Sequence, residues 1–226
     1  MDIAQKLHNL KASLPPHVTF VAVSKFQPVD VLQQAYDAGQ KIFGENKVQE
    51  LRAKYPFLPS DIQWHFVGTL QTNKVKYIVP FIDTIQSIDS LRLLGEIEKQ
   101  ATKFNRRIRV FLEVHIAEET TKHGFGLDEC LTLFLENQLE AYPHVIVAGL
   151  MGMATFTDDT GQVEREFKRL KGLFDEIKQS GRAGDSFTEL SMGMSDDYPI
   201  AIQNGSTMIR VGTMIFGERS SSGPTH

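Results

Sequence analysis

The stretch Val18-Thr19-Phe20-Val21-Ala22-Val23-Ser24-Lys25 is rich in β-branched residues and apolar apart from one threonine, and it ends abruptly on a serine and a lysine. Such a run reads as a strand buried on both faces, the habit of parallel strands. Pro28 then opens a helix over Val29–Ala38, with Gly39 just beyond its end, the usual placing of Pro and Gly at helix boundaries. Outward from this unit the same alternation repeats. Strands are expected at Lys41–Phe43, Ile62–Val67, Asp83–Ser87, Arg109–His115, Val145–Leu150, Glu189–Ser191 and Met208–Val211. Helices are expected at the N-terminus and at Asn46–Lys54, Asn73–Val79, Ser90–Phe104, Asp128–Leu139, Val163–Lys178 and Tyr198–Asn204. Leu91, Leu94, Ile97 and Ala101 line one face of the Ser90 helix, with Asp89 as its N-cap.

Eight strands alternating with helices predict an α/β protein, a single (β/α)8 TIM-type barrel, with an open doubly wound sheet as the alternative. The length of 226 residues suits one such barrel, and no linker interrupts the alternation. The barrel is expected to span 1–219 and a polar, disordered tail 220–226.

Composition excludes several classes. Charged residues make up 23% and the net charge is −4, so neither a nucleic acid nor an anionic membrane is an expected partner. The short cluster Arg106-Arg107-Ile108-Arg109 reads as a solvated helix end entering a strand. The single Cys130 forms no disulfide within the chain, suits a reducing cytoplasm, and reads as a small core residue. The N-terminal segment reads as a helix without the apolar core of a signal peptide, and no apolar run reaches membrane-spanning length. No metal-ligand spacing occurs, His65 reads as a satisfied core histidine, and ordinary surface composition favours a monomer, or at most a weak dimer.

In such barrels, chemistry sits just after the strands. Those positions hold Ser24-Lys25, Gly44-Glu45-Asn46, Gly68-Thr69, Gln86-Ser87, His115, Gly152-Met153, Ser191–Asp196 and Gly212-Thr213. A lysine at a strand end, partly desolvated, exposes a neutral amine that can attack an aldehyde; the bland alternative is a lysine snorkelling into water. The loops after strands seven and eight, with Met194, Ser195, Gly212 and Thr213, match the usual phosphate site of these barrels, although small residues also serve tight turns. One phosphorylated aldehyde would use both features. Arg210 inside the last strand needs a polar partner: a pyridine nitrogen, or Asp196, Asp197 or Glu218 in an ion pair. An arginine there would keep a pyridine unprotonated and make it a weak electron sink.

Longer motifs carry a resemblance. Val21-Ala22-Val23-Ser24-Lys25, Phe43-Gly44-Glu45-Asn46 and the run from Trp64 to Lys74 resemble the pyridoxal 5′-phosphate (PLP) homeostasis protein family. Gly149-Leu150-Met151, Leu190 to Asp196 and Ile209 to Gly217 do so too, and the likeness covers about Leu7 to Arg219. It implies an alanine racemase N-terminal-domain-like barrel with PLP held as a Schiff base on Lys25. It also implies phosphate contacts from Ser195, Gly212 and Thr213 with Met194 close by, Arg210 against the pyridine nitrogen, and Asn46 near the ring. Phe26 and Lys47 depart from the family, which often has Thr and Tyr there. The family is regarded as regulating free PLP and amino- and keto-acid balance, without efficient catalysis, which makes PLP-dependent apoenzymes candidate partners. Racemisation needs a base on each face of the cofactor; the racemase relatives take the second from a tyrosine of another domain, whereas the tyrosines here fall mostly in helices. A low-efficiency PLP-dependent racemase, and a barrel in which Lys25 binds a sugar phosphate, are the alternatives.

Overall fold

A computed structural model of the chain describes residues 2–118 and 123–217. Glu218, Lys122 and the expected tail at 220–226 lie outside the described residues. The first unit is helix α1 (Ile3–Ser13), strand β1 (Thr19–Val23) and helix α2 (Val29–Asp37). It is followed by β2 (Ile42–Glu45), α3 (Val48–Lys54), β3 (Gln63–Phe66), β4 (Thr84–Ile88) and α4 (Leu91–Lys103). Then come β5 (Ile108–Glu113), α5 (Leu127–Leu135), β6 (Val145–Met151), α6 (Thr160–Gln179), β7 (Glu189–Ser191), α7 (Tyr198–Gln203), β8 (Met208–Val211) and α8 (Thr213–Phe216). The strands form one closed parallel barrel in sequence order, with β8 returning to pair with β1. The open-sheet alternative is thereby excluded.

Two apolar layers follow from the period of two along each strand. One set of residues faces outward onto the helices and makes the main core, in which Phe43, Ile85, Leu112, Phe167, Leu170 and Ile177 are fully buried. The other set fills the barrel interior with Val21, Phe111, Ala148, Met151 and Met208. The strands therefore read as continuously apolar because both of their faces are covered.

Several local expectations need correction. Ser90, rather than Asp89, caps α4: its Oγ accepts from the Leu93 amide at 3.3 Å and donates to Asp89 Oδ1 at 2.9 Å. The segment from Thr72 to Tyr77 is a 3₁₀ helix rather than an α-helix. The helix expected over Asp128–Leu139 stops at Leu135, because Asn137 takes a left-handed conformation. Helix α6 starts three residues before Val163, capped by the Asp159 carboxylate at the Gln162 amide. Strand β5 ends at Glu113, so Glu113 and not His115 closes it, and β2 includes Gly44 and Glu45. Arg109 is half-buried and lines a cavity of about 340 Å³ at the foot of the barrel, so it is not the solvated helix-end residue expected.

Phe167 is fully enclosed on the inner face of α6. Phe167→Ala is expected to lower unfolding free energy by about 3–5 kcal/mol, from lost transfer energy and the cavity left behind, read as a reduced urea midpoint at unchanged slope.

Candidate functional site

Arg210 is the deepest of the expected site residues, at 5% exposure inside β8. Its Nη1 donates to Ser191 Oγ at 2.7 Å and its Nη2 to the Gly152 carbonyl at 3.1 Å. A guanidinium has five N–H donors, and these two bonds use only two of them. The ion pair considered with Asp196 or Asp197 is not formed among the described residues. Asp197 Oδ1 instead accepts from the Met194 amide at 2.6 Å, tying the β7 loop onto the start of α7. Burial brings the Arg210 pKa down to about 10, with Asp197 and Glu113 opposing, so the side chain stays charged at neutral pH.

Behind Arg210 runs a polar chain. Ser191 Oγ donates to Gln86 Oε1 at 2.7 Å, and Gln86 Nε2 lies 2.8 Å from His65 Nδ1. Since the Gln86 nitrogen donates, His65 Nδ1 accepts and the imidazole proton sits on Nε2, 3.7 Å from Asp83 Oδ1 at the foot of the barrel. Burial depresses the His65 pKa to about 4, with Asp83 opposing and Arg109 reinforcing the fall. His65 is thus the satisfied core residue expected. Glu113 is a site residue that sequence reasoning did not select, and Gln86 and Ser191, although among the expected strand-end positions, were given no role of their own. Their one legible signal is a polar side chain within or closing an otherwise apolar strand. Glu113 is buried at the end of β5, and burial and Asp89 raise its carboxyl pKa, with Arg210 and His123 pulling it back.

The rim is assembled from loops. Lys25 follows β1 in a turn closed by the Gln27 amide on the Ser24 carbonyl at 3.0 Å. It is exposed, so the partial desolvation expected of it is not found. Val21 of the interior cluster shares parity with Val23 and Lys25, and Val21 pairs in register with Arg210. Gly212 packs so closely on the end of β1 that a Cβ there would meet the Val23 carbonyl oxygen at 2.9 Å. This contact sets Gly212 and Thr213 beside the Lys25 turn. Gly193 has φ of 97°, and a Cβ there would lie 2.6 Å from that of Ala201; its carbonyl accepts from the Arg210 amide at 2.9 Å. Met194 is exposed and Ser195 half-buried in the same loop.

Two polar atoms near the rim, Asn46 Oδ1 and Ser87 Oγ, are buried without a hydrogen-bond partner. Such groups are rare and costly unless a ligand completes them. With the unused Arg210 donors, they fit a polar ring compound seated in the mouth. Cys130 is a buried core residue on α5, with its thiol pushed up to about 12 by burial.

The family described as "Alanine racemase, N-terminal domain" matches residues 2–220. The pyridoxal phosphate homeostasis protein of Pasteurella multocida is 38% identical over 208 residues, 91% of this chain and 88% of that protein. The structure of PipY from Synechococcus elongatus PCC7942 with PLP bound superposes with a TM-score of 0.86 at 35% identity, covering 96% of this chain and 100% of PipY. Alanine racemase from Streptomyces coelicolor shares the fold, with a TM-score of 0.72 at 16% identity; 96% of this chain covers 58% of that one.

The depressed His65 pKa has a consequence for stability. The native imidazole stays neutral down to about pH 4, whereas the unfolded one gains a proton below its ordinary 6.5. Stability is therefore full above that value and falls as pH drops towards 4. Between about pH 7.5 and about pH 5, urea unfolding should show a loss of about 2 kcal/mol that His65→Asn, which keeps an acceptor for Gln86, removes. The chain belongs to the alanine racemase N-terminal-domain family and, within it, to the pyridoxal phosphate homeostasis proteins.

Proposed function

We propose that this protein binds PLP as a Schiff base on Lys25 and acts as a carrier and regulator of the free cofactor, without efficient catalysis. The observation that carries the reading is the buried Arg210 with unspent donors, beneath a rim that bears Lys25 on one side and Gly212-Thr213 beside it. PipY, solved with PLP bound, and the homeostasis proteins named above support it.

When bound, PLP supplies an aldehyde, a phosphate and a pyridine ring able to accept electrons. Lys25 would hold the aldehyde carbon through its amine, with the carbonyl oxygen lost as water. Ser195, Gly212 and Thr213 would hold the phosphate, with Met194 at its side, and Asn46 would serve the ring. Arg210 would donate to the pyridine nitrogen and, staying charged, would keep that nitrogen unprotonated, which would weaken carbanion chemistry.

Racemisation asks for a second base facing Lys25. The tyrosines serve elsewhere. Tyr36 donates to Asp61 at 2.6 Å, Tyr55 stacks on Phe81, Tyr77 lies under Arg52, and Tyr142 and Tyr198 pack against the outer core. A low-efficiency racemase is the alternative, and PLP-dependent apoenzymes in a reducing cytoplasm are the partners that a carrier would serve.

Visible absorption before and after borohydride, followed by peptide mass mapping, tests the reading. A yellow band that bleaches, with pyridoxyl mass on the Lys25 peptide, is expected. Lys25→Ala should lose the reducible band yet retain weaker, phosphate-mediated binding. A protein that stays colourless with added PLP would overturn the proposal in favour of a sugar phosphate ligand. Amino-acid racemisation at an ordinary enzymatic rate would overturn the carrier role.

A further inference from the structure

Behind the Lys25 turn lies a buried cluster of charges. Lys54, the last residue of α3, is 8% exposed in its side chain. Its Nζ donates to Glu45 Oε1 at 2.7 Å, to the Ser24 carbonyl at 2.9 Å and to Glu50 Oε2 at 3.2 Å. An ammonium has three donors, and all are engaged. Glu45 Oε1 also accepts from Ser24 Oγ at 2.6 Å, and the Ser24 amide donates to the Gly44 carbonyl at 2.9 Å. Glu50 Oε2 accepts from the Phe26 amide at 2.7 Å. Phe26 has φ of 65°, in the left-handed region that a phenylalanine rarely adopts.

A buried ion pair is by itself weak evidence of anything beyond folding, since desolvation offsets much of its attraction. Here two of the three Lys54 bonds land off the helix that carries it, and the third joins it to Glu50, one turn back, which in turn holds the Phe26 amide. They grip the backbone or side chain of Ser24 and the amide of Phe26, the two residues flanking Lys25. A left-handed residue in a rim turn persists only where its surroundings hold it, and Glu50 supplies such a hold.

We infer that Lys54, Glu45 and Glu50 form a clamp that positions Lys25 for imine formation, acting as positioning residues that do not touch the cofactor. The inference rests on the reading that Lys25 carries PLP. It also makes Lys54, despite its nearness, unfit as a second anchor, because its nitrogen is engaged by three acceptors. Freed of the clamp, the turn relaxes Phe26 towards negative φ and swings Lys25 away from the position that the imine needs.

The test uses full-length protein loaded with PLP. Glu50→Ala, at a half-buried position, should lower the borohydride-reducible fraction of bound PLP and raise the release rate about five- to tenfold, the net worth of one hydrogen bond. Adding Phe26→Gly, which accepts positive φ without strain, should restore the reducible fraction. Thermal melting of the apoprotein gives the purely structural effect for comparison. The double variant Lys54→Met, Glu45→Gln removes the rest of the clamp and should act in the same direction. Wild-type reducible fractions and release rates in both Glu50→Ala and the double variant would overturn the clamp, as would a loss that Phe26→Gly fails to rescue. A wild-type protein with PLP bound but no imine at Lys25 would instead bring down the underlying reading, and the clamp with it.

Discussion

The parallel pairing of β8 with β1 closes the barrel, and the geometry of the mouth depends on it. Four residue pairs align, from Thr19 with Met208 to Ala22 with Val211. That register sets Arg210 level with Val21 and brings Gly212 onto the Val23 carbonyl. Without closure, β1 and β8 would be edge strands with unpaired backbone groups, and Lys25 and the Gly212-Thr213 loop would not share a rim.

A charged guanidinium inside a barrel is tolerated only if its neighbours replace water. Ser191, the Gly152 carbonyl and, one step further, Gln86 and neutral His65 do this. Three of the five Arg210 donors are left over from the bonds to Ser191 and Gly152. The interior is therefore part apolar plug and part polar relay. The plug of Val21, Phe111, Ala148, Met151 and Met208 gives rigidity, while the relay fixes the direction of one cation.

The rim is built differently. Lys25 is exposed, as the proposed role of capturing an incoming aldehyde requires. The residues on either side of it, Ser24 and Phe26, are gripped from behind by Lys54, Glu45 and Glu50. A lysine exposed at its amine between two held neighbours is the arrangement that the proposed reversible capture of an aldehyde would use. The outer ring takes no part: Cys130 and the tyrosines are spent on packing and surface contacts.

The alternation of strand and helix, the barrel it builds, and the residue types at the strand ends were legible in the sequence. Each is encoded within a few neighbouring residues: apolar runs for strands covered on both faces, and Pro and Gly at helix ends. What only the tertiary structure decided lies between distant residues. Gln86 and Ser191 are 105 positions apart, and nothing local in either announces their bond. The Lys54 hydrogen bonds, the exposure of Lys25, the half-burial of Arg109 and the end of β5 at Glu113 belong to the same class. Even the choice of Ser90 over Asp89 as a cap turned on one side-chain geometry that either residue type allows. Sequence fixes which side chains are available and their local backbone preferences; closure of the barrel fixes which of them meet, because burial forces every polar group inside to find a partner.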